Sequence, residues 1–214
     1  FLLAFLFLAI FLVAFIQVGV VTLAAEKLGL SPAAVVLLLF GSLLGSGVNF
    51  PLFTVDSRTP PPIQRHPLYQ LGLLRPQRPF TGKTVVAINL GGALIPIGFA
   101  VYLWAHNNLS APLVVGAVAL VAAVSYLASR PVPGVGVAMP LFVGPIAAAV
   151  TALILDGDQS APLAYIAGTL GVLVGADLLR IGDIREMGTP LASIGGAGTF
   201  DGIYITGIVA VLLA

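Results

Sequence analysis

Two aspartates lie inside long apolar stretches of the sequence, where ionisable side chains are rare. Asp177 lies in the run 161–180, and Asp201 lies in the run 192–214. An ionisable residue within a membrane span is costly to bury and usually serves the function of the protein. Two carboxyl groups held close together share one proton, so that one activates water while the other polarises a carbonyl group. The pair is therefore a candidate catalytic dyad, with Asp177 and Asp201 as catalytic residues, or a candidate binding site for an ion or solute.

Other residues that suit a polar site are predicted in the same, cytoplasmic half of the membrane. Asn49 closes one apolar run, Asn89 opens the next, and Arg180 lies three residues after Asp177. Glycines let helices approach closely, or interrupt a helix where the backbone lines a cavity. The predicted supporting or binding residues are Asn49, Asn89, Gly91, Gly92, Arg180, Gly195, Gly196, Gly198 and Thr199. An alternative for Asp177 is a simple ion pair with Arg180 on one helix face.

The sequence contains few residues that could bind a metal ion or a cofactor. The chain has no cysteine, which excludes thiolate metal sites, iron–sulfur clusters and disulfides. Its two histidines, His66 and His106, lie 40 positions apart and outside the apolar runs. We therefore predict neither a metal ion nor a cofactor for the site.

The composition favours a membrane over water as the surroundings of the chain. Of the 214 residues, 59% are hydrophobic and 8% are charged, and the mean hydropathy is +1.11. Soluble domains carry about 25% charged residues, so this chain has too few charges to cover a surface in water. A soluble enzyme, a nucleic-acid-binding protein and a disordered protein are therefore disfavoured. We predict a multi-pass membrane protein, with membrane lipid as a partner.

Apolar runs of about 20 residues predict membrane-spanning helices. The sequence contains seven, which predicts an all-α bundle of seven transmembrane helices in a single integral membrane domain, residues 1–214. The predicted spans cover residues 2–24, 32–53, 84–105, 109–128, 135–155, 161–180 and 192–214. Eight of the nine basic residues fall in the connections after the second, fourth and sixth runs. Because cytoplasmic loops are enriched in Lys and Arg, we predict an inside N-terminus and an outside C-terminus.

Two further features of chain organisation follow from the sequence. Residues 54–83 form a proline-rich, basic connection, which is predicted as a cytoplasmic loop against anionic headgroups. Residues 1–106 and 135–214 carry similar features at similar spacing, each with a Gly-Gly-Ala run. This likeness suggests an internal duplication with the fourth span as a linker, an arrangement that occurs in small transporters.

Three runs of the sequence resemble a prokaryotic membrane family. They are residues 130–136, residues 175–179 and, most specifically, residues 193–203, which read Ser-Ile-Gly-Gly-Ala-Gly-Thr-Phe-Asp-Gly-Ile. The resemblance covers most of the chain and is to domain of unknown function 1614. It implies a polytopic protein of the prokaryotic cytoplasmic membrane and supplies no activity.

A second resemblance is to the intramembrane aspartyl proteases, the group of presenilin, signal peptide peptidase and prepilin peptidase. Their sixth span carries one aspartate and their seventh a Gly-x-Gly-Asp motif, and Asp177 and Asp201 take the matching places here. The motif in this chain reads Gly-x-Gly-x-x-Asp, no tyrosine precedes Asp177, and the Pro-Ala-Leu motif of their ninth span has no counterpart. The resemblance implies a transmembrane peptide segment as substrate and no cofactor.

Three functions are therefore weighed from the sequence. The first is an intramembrane aspartyl protease that cleaves membrane-embedded peptide segments. The second is a small transporter of a solute, coupled to a cation or proton, with Asp177 and Asp201 in its binding site. The third is a structural or assembly subunit, in which the acids hydrogen-bond helices together. A homo-oligomer or a larger membrane complex is compatible with all three, and nucleic acid is a partner in none.

Overall fold

The computed structural model describes residues 20–58, 82–132, 136–196 and 202–214. These residues form seven α-helices and five strands. The helices are α1 (Val20–Lys27), α2 (Pro32–Gly45), α3 (Ile95–His106), α4 (Ala111–Ala128), α5 (Val143–Leu155), α6 (Ser160–Val172) and α7 (Gly202–Leu213). The strands are β1 (Asn49–Asp56), β2 (Lys83–Asn89), β3 (Arg130–Val132), β4 (Gly136–Ala138) and β5 (Leu191–Ile194). A first π-helical turn, Leu90–Leu94, joins β2 to α3, and a second, Leu173–Asp177, continues α6 into the 3₁₀ segment Leu178–Glu186.

Three of the strands form one sheet in the order β1-β2-β5. Strand β1 runs antiparallel to β2, with Asn49 opposite Asn89, whereas β5 runs parallel to β2, with Ile194 opposite Ile88. The central strand β2 reads Lys-Thr-Val-Val-Ala-Ile-Asn, and its β-branched residues favour an extended backbone that packs against neighbours. Strands β3 and β4 form a separate antiparallel pair.

Helix α6 is the centre of the helical part of the molecule. Nearly all of its residues are buried, and α3, α4, α5 and α7 pack around it. Small residues allow this close packing, because a side chain in their place would meet a neighbouring helix. A Cβ atom on Gly168 would lie 3.1 Å from the Ala148 Cβ, and one on Gly171 would lie 2.6 Å from the Val121 Cβ.

Helices α6 and α7 pack against each other in opposite directions. At one end, the Ser160 hydroxyl donates a hydrogen bond of 3.2 Å to the carbonyl oxygen of Ala214. Further along, a Cβ atom on Gly207 would lie 2.8 Å from Tyr165 Cε2 and 2.9 Å from Thr169 Oγ1. These contacts fix the register of the two helices.

The predicted all-α architecture is wrong, because five strands lie among the helices. The predicted span 84–105 begins as β2, and the predicted span 135–155 begins with β4. The predicted span 192–214 likewise starts in β5, and α7 begins only at Gly202. A short apolar run fits a buried strand as well as a buried helix, so apolar length alone does not separate the two.

The predicted number of seven spans is wrong as well. Among the described residues, two helices are long and apolar enough to cross a membrane, Ala111–Ala128 and Ser160–Glu186. The other apolar helices in this part of the chain have 10–17 residues, because strands and turns take up the ends of the predicted runs. The predicted orientation, with an inside N-terminus and an outside C-terminus, depends on those seven spans and has no support in this architecture.

The other predictions on chain organisation stay predictions. The proline-rich segment 54–83 overlaps the end of β1 and the start of β2, and its residues 59–81 lie outside the described residues. The first predicted span, 2–24, lies outside them up to residue 19. The single membrane domain and the internal duplication are not decided by this architecture.

Candidate functional site

Two glycine-rich turns at the ends of β2 and β5 form the framework of the site. Asn89 ends β2 and Ile194 ends β5, and the parallel pairing of these strands brings both ends to one edge of the sheet. The first π turn follows β2, whereas a tight turn at Gly195 follows β5. The backbone at Gly195 has φ +73°, a left-handed conformation that glycine adopts without strain.

Asn89 is buried and uses its side-chain amide to join three segments. Its Oδ1 accepts a hydrogen bond of 2.8 Å from the Gly92 N–H and so caps the first π turn. Its Nδ2 donates to the carbonyl oxygen of Ser46 at 2.8 Å, and to Oδ1 of Asn49 at 3.1 Å. The asparagine therefore fixes the end of α2, the start of β1 and the π turn relative to one another.

Asp177 is the last residue of the second π turn and reaches the end of β5. Its Oδ2 accepts a hydrogen bond of 2.7 Å from the backbone N–H of Gly195. A hydrogen bond to a charged acceptor contributes about 1.5–3 kcal/mol, roughly twice a neutral one. This bond therefore anchors the glycine-rich segment after β5 to the continuation of α6.

Ser193 connects the asparagine pair to the strand that precedes the Gly195 turn. Its hydroxyl donates to Asn49 Oδ1 at 2.5 Å, and this oxygen also accepts the bond from Asn89. We call the four side chains of Asn49, Asn89, Asp177 and Ser193, with the backbone N–H groups of Gly92 and Gly195, the polar cluster. It offers one carboxyl group, two side-chain amides, one hydroxyl and two backbone N–H groups within a small region where helices and strands are interrupted.

The two glycine-rich turns touch each other directly. A Cβ atom on Gly195 would lie 2.6 Å from the Ala93 Cβ and 2.7 Å from the carbonyl carbon and oxygen of Gly92. A Cβ atom on Gly196 would lie 2.7 Å from the Ser193 hydroxyl oxygen. These glycines are needed because a side chain at either position would force the two turns apart. The residues of the polar cluster would then separate as well.

The structure brings together seven of the residues that the sequence singles out. They are Asn49, Asn89, Gly91, Gly92, Asp177, Gly195 and Gly196. Three others, Gly198, Thr199 and Asp201, lie outside the described residues. The catalytic roles of the two aspartates therefore stay predictions.

Arg180 lies in the 3₁₀ segment and contacts α4 instead of the polar cluster. Its Nη2 donates to the carbonyl oxygens of Tyr126 and Ser129, both at 2.8 Å, and its guanidinium lies 4.1 Å from the centre of the Tyr126 ring. Its ion pair is with Asp183, at 3.2 Å, and not with Asp177. A cation near the carbonyl groups that end a helix is favourable, so Arg180 holds the C-terminal end of α4.

Replacing Arg180 by alanine is expected to destabilise the protein by about 2 kcal/mol, because two carbonyl groups lose a charged donor. Thermal unfolding of the purified protein in detergent measures the change. Arg185→Ala is the matched control, since Arg185 lies in the same 3₁₀ segment and is exposed. A loss of stability no larger than that of Arg185→Ala would contradict this role.

Two residues of the site are not predicted from the sequence. Ser193 opens the run 193–203 but is a small polar residue of the kind that is common at strand ends. Ser46 contributes only its carbonyl oxygen, which no side-chain pattern can indicate. For metal binding, the described part of the chain contains no group of three His, Asp or Glu residues that could hold an ion.

Comparison with known proteins gives one match. The family model described as a protein of unknown function (DUF1614) matches residues 43–213, about four fifths of the chain. No curated protein and no solved structure matches the chain. The matched segment includes β1, β2, β5 and the second π turn, and therefore all four side chains of the polar cluster.

Proposed function

Because the chain belongs to the family described as protein of unknown function (DUF1614), which brings no activity with it, we propose a function from the polar cluster. The proposal is an integral membrane protease that cleaves membrane-embedded peptide segments with Asp177 and Asp201. The observation that carries it is the hydrogen bond from the Gly195 N–H to Asp177. This bond ties one aspartate to the segment that leads to the other.

A membrane location is supported by the composition and by the outer surface of the helices. Large apolar side chains are strongly exposed, including Leu127 at 82%, Ile154 at 77% and Leu37 at 74%. Water would not tolerate extensive exposure of this kind, whereas lipid chains cover it without penalty. The helices Ala111–Ala128 and Ser160–Glu186 are long and apolar enough to cross a bilayer.

The register of α6 and α7 supports a meeting of the two aspartates. Ser160 contacts Ala214, and Gly207 lies against Tyr165 and Thr169. Continued at this offset, the start of α7 at Gly202 falls beside the junction of α6 and the second π turn. Asp201 directly precedes Gly202 in the sequence, and Asp177 lies five residues beyond the end of α6. We therefore propose that the two carboxyl groups form a dyad.

The chemistry of such a dyad needs no further group. The ionised carboxyl accepts a proton from water as the water oxygen attacks the peptide carbonyl carbon. The protonated carboxyl donates its proton to the carbonyl oxygen, which gives a tetrahedral diol. Transfer of a proton to the amide nitrogen then breaks the C–N bond and releases a carboxylic acid and an amine. Either aspartate can take either role, because the pair titrates as a unit.

A transporter is the second candidate, and the interrupted backbone favours it. Discontinuous helices with exposed backbone groups bind ions and solutes near the middle of many transporters. The polar cluster lies where α6 changes to a π turn and where β2 and β5 end. In this alternative, Asp177, Asn49 and Asn89 bind the solute or cation directly. In a third, structural alternative, the same hydrogen bonds only hold the segments together.

The dyad predicts that cysteines at positions 177 and 201 can be cross-linked. The sequence has no cysteine, so Asp177→Cys with Asp201→Cys introduces one pair. A direct disulfide needs Cα atoms about 4.4–6.8 Å apart. Two carboxyl groups can share a proton across a wider Cα separation, so a short thiol-to-thiol cross-linker is applied in membranes alongside mild oxidation. Mass spectrometry of the linked peptides measures the product.

The control pair is Asp177→Cys with Asp158→Cys. Asp158 precedes α6 by two residues, so about 25–30 Å of helix separates it from position 177. We expect efficient linkage in the first pair and none in the control. Absence of the 177–201 linkage in a protein that is expressed and inserted like the natural chain would contradict the protease and leave the other two functions.

A further inference from the structure

A hollow of about 510 Å³ opens on the outer surface between α4 and α5. All but one of its side chains are apolar, and the exception is the hydroxyl-bearing Thr151. The residues that line it are Val124, Pro140, Leu141, Phe142, Val143, Ile146, Ala147, Val150 and Thr151. Several of them are among the exposed large apolar residues of the molecule, with Phe142 at 62% and Leu141 at 53%.

A positive charge lies next to the hollow in the fold. Helix α4 continues through Ser129 into β3, and β4 is followed by Pro140 and α5, so the β3–β4 pair adjoins the end that Pro140 lines. Arg130, the first residue of β3, is exposed and lies opposite Ala138, two residues before Pro140. Among the described residues, no acidic side chain forms an ion pair with Arg130.

We propose that this hollow binds an anionic phospholipid, with an acyl chain along α4 and α5 and the phosphate on Arg130. The apolar lining provides almost no hydrogen-bonding partner for a peptide, and an acyl chain needs none. A basic residue next to an apolar surface at a membrane boundary complements an anionic headgroup. The inference rests on the proposed membrane location but not on the proposed protease activity.

The test uses the full chain reconstituted into vesicles of equimolar phosphatidylglycerol and phosphatidylcholine. After gentle extraction in detergent, mass spectrometry measures the lipid that stays bound. We expect the natural chain to retain phosphatidylglycerol preferentially. Arg130→Gln should lower this preference about fivefold, the ratio that corresponds to about 1 kcal/mol per basic residue at an anionic membrane surface. Arg130→Lys should keep most of it.

Two more variants separate this site from general attraction. Ala147→Phe fills the hollow and should reduce the bound lipid of both kinds. Arg185→Gln removes an exposed charge elsewhere and should leave the preference unchanged. An unchanged preference in Arg130→Gln, or an equal loss in Arg185→Gln, would overturn the proposal.

The experiment contains its own check on folding and is independent of cleavage. The fluorescence of Trp104, the single tryptophan of the chain, reports whether each variant keeps its fold. Lipid retention is measured without any peptide substrate. The result for the lipid-binding site therefore does not depend on whether the two aspartates form a dyad.

Discussion

Replacing Asp177 by asparagine is expected to lower the rate of peptide cleavage about 10²–10⁴-fold, the range that one general acid or base contributes. Asparagine keeps a carbonyl oxygen that can accept the Gly195 N–H, so the turn after β5 is retained. The amide cannot exchange the proton that the dyad needs. Asp201→Asn is expected to have the same effect, because neither carboxyl works without the other.

The measurement uses the chain reconstituted into phospholipid vesicles with a mixture of labelled peptides, each containing a 20-residue apolar segment. Mass spectrometry identifies the products and gives the rate. Asp158→Asn is the control, since Asp158 is exposed and lies at the opposite end of α6. Cleavage that persists in either Asp177→Asn or Asp201→Asn would rule out the dyad, as would a natural chain that cleaves none of the peptides.

The same variants distinguish the two other functions. A transporter predicts solute or proton flux into the vesicles that is lost in Asp177→Asn while no peptide is cleaved in any variant. A structural subunit predicts neither activity, and the variant then changes only thermal stability or assembly. Because asparagine preserves the acceptor for Gly195, a large loss of stability is not expected in the protease.

Replacing Gly91 by alanine is expected to destabilise the protein by at least about 3 kcal/mol, the upper part of the range for overpacking. The added Cβ atom would overlap the carbonyl oxygen of Ser42 and the backbone nitrogen of Ser46. From the other side, a Cβ atom on Gly45 would lie 2.9 Å from the Gly91 nitrogen. The two backbones are in contact, so no rotamer change can relieve the overlap.

The first π turn and α2 would have to separate, which would break the bond from Asn89 to Ser46. Gly98→Ala is the matched control, because a Cβ atom on Gly98 in α3 would meet nothing within 4 Å. That change is expected to be neutral or to stabilise the protein by about 0.5–1 kcal/mol, since alanine favours a helix. Thermal unfolding followed by Trp104 fluorescence compares the two, and similar midpoints would contradict the close approach.

The long apolar helices could be predicted from sequence, and the strands could not. The predicted spans 109–128 and 161–180 overlap α4 and α6, where apolar residues continue for the full length of a helix. The predicted span 84–105 fails at its start because Thr84 to Asn89 form a strand whose partners, β1 and β5, lie at least 27 residues away along the chain. Partners so distant leave no local pattern, so the run appears as one continuous helix.

The candidate site shows a similar division. Polar and glycine residues at the ends of apolar runs indicate Asn49, Asn89 and Asp177, but the expected reason for their meeting was helix packing. In the structure, the sheet brings these segments together. For Arg180, the sequence suggests a partner that the structure does not give it. Spacing along a helix allows an ion pair with Asp177, whereas Arg180 pairs with Asp183. The 3₁₀ geometry and the end of α4 give Arg180 other partners.

The parallel pairing of β2 with β5 has a consequence for how the protein is made. Val85 pairs with Leu191, so 106 residues separate the partners along the chain. At about 5–20 residues per second, a ribosome needs roughly 5–20 s to synthesise that interval. During this time β2 can pair with β1 but not with β5. The carboxylate of Asp177 cannot yet accept its hydrogen bond from the Gly195 N–H, because Gly195 follows β5 in the sequence. The polar cluster is therefore completed only after β5 has been synthesised, and a stalled chain that ends before Leu191 would enter quality control without it.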